Sequence, residues 1–184
     1  MKIIETPIPG LLIIEPQVFA DQRGYFLESY NQQKLEEAGI STIFVQDNES
    51  KSGKGVIRGL HYQLAPYAQT KLVRVIKGRV YDVAVDCRNG SPTFGQAFGL
   101  ELSEENKLQF FIPQGFAHGF SVLSETAVFS YKCDAFYNPE VDRGIRYNDP
   151  ALKINWEIDT SEAIVSDKDA MLPLFADAEM NFKF

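Results

Sequence analysis

Few side chains move protons near neutral pH, and this chain has two imidazoles, His61 and His118. An imidazole titrates near pH ~6.5, so a strand histidine that faces a pocket is a natural general base. His61 lies in Val56-Ile57-Arg58-Gly59-Leu60-His61-Tyr62-Gln63. Strand alternation puts Ile57, Gly59, His61 and Gln63 on one face and Arg58, Leu60 and Tyr62 on the other. A lone strand histidine is more often a hydrogen-bonded core residue than a catalyst, so both readings stand. His118 ends the run Pro113-Gln114-Gly115-Phe116-Ala117-His118. Two imidazoles without a paired neighbour make a poor transition-metal set, although a two-His-one-carboxylate site would need only one more carboxylate; no metal is expected. Lys71 is a cation that alternation places with Val73 and Val75, opposite Leu72, Arg74 and Ile76. It reads equally as a snorkelling surface lysine. The two cysteines, Cys87 and Cys133, exclude a disulfide scaffold and a cysteine zinc finger, and are expected to be buried reduced thiols.

The elements that must hold these residues are mostly strands. Short runs rich in aromatic and β-branched residues cover Leu11 to Glu15, Tyr25 to Tyr30, Ile43 to Asp47, Val56 to His61, Gln96 to Glu101, Leu108 to Ile112, Phe116 to Leu123 and Ala127 to Cys133. A hairpin is expected over Lys71 to Asp86, with its turn at Lys77-Gly78. Helix is confined to Gln32 to Ala38, capped by Asn31 and ended by Gly39, and to one turn at Asp167 to Ala170. No repeat, low-complexity tract or linker marks a boundary, so 184 residues are read as a single domain, with short helices and a tail from about residue 160. Many short strands in one domain predict a mainly β, antiparallel sandwich or barrel, preferably a jelly roll. Acidic residues outnumber basic ones 25 to 18, for a net charge of −7, which argues against nucleic-acid binding but permits a local basic pocket for a small anion. The N-terminus lacks an apolar signal core, and the longest uncharged stretch, Leu108 to Ser124, is too broken to span a bilayer. A soluble, cytoplasmic protein is expected.

Two resemblances sharpen this. The P-x-G-x-x-H run ending at His118 is similar to the second motif of the cupins, whose metal-binding members supply an H-x-H pair where this chain has His61 and Gln63. More specifically, Asp21-Gln22-Arg23-Gly24-Tyr25-Phe26-Leu27-Glu28 resembles the D-x-R-G-x-F-x-E signature of the dTDP-4-dehydrorhamnose 3,5-epimerases. Gln46-Asp47-Asn48-Glu49-Ser50, Arg58-Gly59-Leu60-His61, Thr70-Lys71-Leu72-Val73-Arg74, Asp82-Val83-Ala84-Val85-Asp86, Ser91-Pro92-Thr93-Phe94-Gly95, Pro113 to Phe120, Tyr131-Lys132 and Ser166 to Ala170 continue the resemblance in the family's order.

That resemblance implies a cupin barrel without metal or organic cofactor. It acts on dTDP-4-dehydro-6-deoxy-D-glucose and inverts C3 and C5, both acidified by the C4 ketone. By resemblance His61 is the base and Asp169 its partner, Lys71 the oxyanion cation and Tyr131 the acid on the opposite face. Left to themselves, Asp169 reads as a solvated helix-turn carboxylate and Tyr131 as a packed strand aromatic. Substrate contacts carry over to Arg23 and Arg58 at the diphosphate, Gln46 and Asn48 at the thymine edge, and Phe19 and Phe26 as aromatics near the base. Glu28, His118, Tyr137, Asp142 and Lys168 also sit at family binding positions. Asp142 stands where the family often has Glu, and Tyr62 where Phe is common. The family's homodimer implies that Arg23 and Phe26 serve the neighbour's pocket. A mono-epimerase, a ketoisomerase and a non-catalytic nucleotide-sugar-binding cupin are the alternatives.

Overall fold

The computed structural model describes residues 1–184. Its main body is two antiparallel sheets packed face to face. The six-stranded sheet has the order β1 (Lys2–Glu5), β2 (Leu12–Glu15), β10 (Gln109–Ile112), β7 (Lys71–Lys77), β12 (Thr126–Cys133), β5 (Gln46–Gly53). The five-stranded sheet has the order β13 (Asp142–Gly144), β6 (Ile57–Gln63), β11 (Phe116–Val122), β8 (Arg79–Asp86), β9 (Ala97–Ser103). A separate ribbon pairs β3 (Val18–Asp21) with β4 (Gly24–Leu27). This agrees with the mainly β, antiparallel jelly-roll expectation. No helix is long and apolar enough to cross a membrane.

Alternation explains the layers. Val73, Val75, Phe110 and Phe129 from one sheet meet Val80, Ala84, Phe116 and Phe120 from the other in the central core. The outer face of the five-stranded sheet, with Ile57, Leu60, Val83 and Val85, is covered by the C-terminal segment through Ile145, Leu152, Trp156 and Phe182. Outside the six-stranded sheet, α1 (Gln32–Glu37) lays Leu35 on Ile14, Leu72 and Phe111. Asn31 caps α1 by accepting from Lys34 N–H, and Gly39 follows it at a φ of +86°. The single turn α2 (Asp167–Ala170) lies where the sequence puts it.

Three expectations are corrected. Lys71 to Asp86 is not a hairpin: β7 pairs with β10 and β12, whereas β8 pairs with β11 and β9. Only Gly78 separates the two strands, at a φ of +76°, and a Cβ there would lie 2.1 Å from Thr126 O. The chain therefore turns a corner from one sheet into the other, a junction open to glycine alone. The strand expected at Ile43 to Asp47 runs instead over Gln46–Gly53, a polar edge strand held by β12 and invisible to apolar periodicity. Tyr25 to Tyr30 shortens to Gly24–Leu27, and β1, β3 and β13 carried no apolar run long enough to mark them.

Candidate active site

A cavity of about 560 Å³ opens between the sheets, and Arg58, His61, Lys71, His118, Tyr131, Lys168 and Asp169 all line it. The five-stranded sheet supplies Arg58, His61 and His118; the six-stranded sheet supplies Lys71 and Tyr131. Groups from the two sheets therefore meet the cavity from opposite walls.

Simple alternation would point Arg58 away from His61. The register shows why it does not. His118 on β11 faces His61 and Phe120 faces Arg58, so Gly59 and Leu60 together stand opposite Gly119. This β-bulge turns Leu60 into the outer core and returns both Arg58 and His61 to the inner face. Gly59 has a φ of +107°, and a Cβ on it would fall 2.5 Å from His118 O. The Arg58 face assignment made from the sequence is thus overturned, and Gly59 is the residue that permits the bulge.

His61 and Asp169 form a dyad. His61 Nε2 lies 2.7 Å from Asp169 Oδ1, while Asp169 Oδ2 accepts from Gly59 N–H at 3.0 Å. An ionised carboxylate only accepts, so Nε2 carries the proton and Nδ1 keeps its lone pair. Asp169 is 4% exposed, not the solvated carboxylate its local sequence suggests. Burial pushes its carboxyl up, but the hydrogen bonds from His61 and Gly59 outweigh this and hold it below the usual carboxylate range. The segment carrying it is stitched to β6, because Ile57 N–H donates to Ile164 O at 3.0 Å.

Across the cavity, the Lys71 ammonium lies 5.9 Å from the centroid of the Tyr131 ring. Burial pushes Lys71 down and Tyr131 up, each toward its neutral form. A tyrosine that holds its proton tightly can donate only to a strong base such as an enolate. At the mouth, the Asp142 carboxylate accepts from Tyr137 Oη at 3.2 Å and also from Lys168 Nζ. Gln46 Oε1 accepts from Tyr137 N–H, and Gln46 Nε2 donates to Asn48 Oδ1, which places both amides on β5 beside Tyr131. Arg58 is steadied by Ser52 Oγ at 2.9 Å and forms no ion pair within the chain.

The remaining predicted contacts lie elsewhere. Phe19, Arg23 and Phe26 sit on the exposed β3–β4 ribbon, outside the cavity, with Arg23 paired to Asp21 at 2.6 Å. Glu28 pairs with Lys34 at 2.7 Å beside α1. No group of three His, Cys, Asp or Glu side chains converges on a possible metal position.

With this geometry in view, comparison with known proteins is decisive. A family model described as dTDP-4-dehydrorhamnose 3,5-epimerase matches residues 5–177. The Shigella flexneri dTDP-4-dehydrorhamnose 3,5-epimerase is 55% identical over 180 residues, covering 97% of this chain and 98% of its own. The crystal structure of the Elizabethkingia anophelis enzyme superposes with a TM-score of 0.92 at 57% identity, covering 96% of this chain and 97% of that one. A Legionella pneumophila epimerase, solved in complex with dTDP-4-keto-L-rhamnose, gives 0.92 at 53% identity, covering 96% and 93%. The chain belongs to the dTDP-4-dehydrorhamnose 3,5-epimerase family.

In this epimerase-family chain, sequence reasoning assigned no role to Glu49, Ser50 and Ser166, which line the cavity, nor to Asp82, buried behind His118, whose two carboxylate oxygens each lie 3.0 Å from His118 Nε2. An acid in the inward register of an otherwise apolar strand, Val80-Tyr81-Asp82-Val83-Ala84, was the available signal. Cys87 and Cys133 are free and buried, as expected, and burial pushes their thiols up to about 12 and about 11.

Proposed function

We propose that this chain epimerises dTDP-4-dehydro-6-deoxy-D-glucose at C3 and C5, giving dTDP-4-dehydro-L-rhamnose, as a cytoplasmic step of dTDP-L-rhamnose formation. Family membership makes it an isomerase of nucleotide sugars; the residue roles follow from chemistry. His61 Nδ1 takes the proton from the carbon beside the C4 ketone, and Asp169 stabilises the imidazolium that forms. The electron pair moves onto the C4 oxygen, where Lys71 meets the developing charge. Tyr131 returns a proton from the opposite face, and solvent restores both residues. The scheme calls on no metal or organic cofactor.

One observation carries this reading: the base His61 and the acid–cation pair come from different sheets, on opposite walls of one cavity. Inversion needs removal on one face and delivery on the other, and this placement supplies both. Arg58 offers a planar fork to the diphosphate, and Gln46 and Asn48 offer amides to the thymine. The exposed ribbon supports a homodimer in which Phe19, Arg23 and Phe26 complete the neighbour's site, and residues 1–184 act as one catalytic domain.

Proton NMR of the substrate in heavy water tests the reading, with C3 and C5 followed separately. Deuterium at both carbons and a rhamnose-configured product are expected. Exchange at one carbon would make this a mono-epimerase, and substrate binding without exchange would leave only a nucleotide-sugar-binding module. A fully active monomer would overturn the shared site.

A further inference from the structure

Gln63 follows His61 by two residues on β6, where a metal-binding cupin would carry the second histidine of its pair, and the proposed reaction gives it no task. It is 3% exposed and does not line the cavity. A buried primary amide needs partners at both its ends. Gln63 Nε2 donates to Tyr67 O at 2.7 Å and to Phe136 O at 3.3 Å, while Oε1 accepts from Asn138 N–H at 2.8 Å. The orientation admits no flip, because a backbone N–H can only donate and the two carbonyls can only accept.

Phe136 and Asn138 flank Tyr137, so one buried side chain grips the backbone on either side of a residue at the cavity mouth. Tyr137 is held at two further points, through its N–H to Gln46 Oε1 at 3.0 Å and through Oη to the Asp142 carboxylate at 3.2 Å. Asp142 is the register partner of Gln63 across β13 and β6, and Leu64 N–H donates to Val141 O at 3.1 Å, which closes the loop back onto β6. Tyr137 is nonetheless 55% exposed. Its backbone and hydroxyl are fixed while much of the ring stays open, an arrangement suited to stacking on a planar base.

We propose that Gln63 is a positioning residue: its amide sets the backbone from Phe136 to Asn138 so that the Tyr137 ring is ordered at the mouth before the nucleotide arrives. Order that exists beforehand need not be imposed on binding, so affinity rises without a new contact to the ligand. Gln63 therefore acts on affinity through Tyr137 and not on proton transfer, although it shares a strand with His61. Its effect on nucleotide binding rests on the function proposed above; its hold on the loop does not.

The test compares the full chain as wild type, Gln63→Met, Tyr137→Ala and the double variant. Calorimetry reads dTDP binding, deuterium incorporation against substrate concentration reads kcat and KM, and nitrogen relaxation reads the order of the Tyr137 amide. Gln63→Met keeps the side-chain length and removes all three hydrogen bonds. It is expected to weaken dTDP binding and raise KM about tenfold, to leave kcat within about threefold, and to loosen the Tyr137 amide. In the Tyr137→Ala background it is expected to change dTDP binding by less than about twofold. An unchanged KM, a fall in kcat as large as the rise in KM, an unmoved Tyr137 amide, or an equal loss of binding in both backgrounds would overturn the proposal. If Gln63→Met does not unfold cooperatively, the wild-type Asn138 N–H decides: slow exchange with solvent is expected, and exchange at the rate of an open loop refutes the anchor. Weakened dTDP binding in Gln63→Met, with no deuterium incorporated by wild type, would refute the epimerase reading and leave the anchor standing.

Discussion

Replacing Asp169 with Asn probes the dyad at its most sensitive point. The wild-type carboxylate accepts at both oxygens, from His61 at 2.7 Å and from Gly59 N–H at 3.0 Å. An amide has one accepting oxygen. If that oxygen stays on His61, the tautomer survives and only the charge is lost. The imidazolium formed during proton abstraction then lacks a neighbouring anion. With charge centres ~4 Å apart and an effective dielectric of ~20, that attraction amounts to about 4 kcal/mol. At 1.36 kcal/mol per decade, the loss in kcat is about 10³-fold. If the amide turns its oxygen to Gly59, its NH₂ meets His61 Nε2, the imidazole proton moves to Nδ1 and the base has no lone pair to use; the loss is then larger. The assay is deuterium incorporation at C3 and C5 under saturating substrate, with binding measured separately. Binding is expected to change little, since Asp169 is reserved for His61 and Gly59. A kcat within about tenfold of wild type would refute the dyad, because no reading in which Asp169 stabilises the imidazolium survives so small an effect.

Four further outcomes are expected. Tyr131→Phe removes the acid but not the base, so deuterium exchange should outlast formation of the inverted product, whose rate falls ~10²-fold or more; equal loss of both, seen by NMR, would speak against its role. Lys71→Met should lower kcat ~10²–10³-fold while leaving the melting temperature unchanged or raised, because burial disfavours the lysine charge. Asp86→Asn should destabilise the fold by about 3 kcal/mol at pH 7, since the buried carboxylate accepts from Arg88, Ser91 and Thr93. Burial raises the Asp86 carboxyl, but those bonds outweigh it and hold it below its ordinary value. Its contribution is therefore complete above the unfolded value of ~3.9 and fades as pH falls through the lower folded value, so denaturant melts of wild type and variant should converge below pH ~4. Gly59→Ala places a Cβ 2.5 Å from His118 O at a φ of +107° and should cost about 3 kcal/mol or more, read as lost thermal stability together with lost exchange.

Much of the fold was legible where alternation met apolar residues. The faces of Lys71 to Ile76 were read correctly, since Val73 and Val75 lie in the central core and Leu72 under α1. Alternation failed where its premise of one residue per partner failed, at Gly59-Leu60, and so it separated Arg58 from His61. It gave the faces of β7 but not its neighbours, because a turn signal at Lys77-Gly78 is common to a hairpin and a corner. The polar strand Gln46–Gly53 was hidden because an edge strand needs backbone partners more than apolar side chains. Of the site, His61 and Lys71 stood out by residue type and alternation, whereas their roles, and Tyr131 and Asp169 altogether, were reached through family resemblance. Local chemistry alone left Asp169 in solvent, for no short-range pattern announces that a C-terminal turn will be buried against a strand about a hundred residues earlier.

The stacked pair Phe120 and Phe129, with ring centroids 4.2 Å apart and planes 19° from parallel, lies between the sheets on the floor of the cavity. Phe120 is on the strand that carries His118, and Phe129 is two residues from Tyr131. These rings act as a spacer between the wall that carries His61 and the wall that carries Lys71 and Tyr131. In the proposed reaction the stereochemical result would thus be tied to the thickness of the sandwich rather than to a mobile loop. Trimming either ring would alter the gauge of the site without touching any residue that handles a proton.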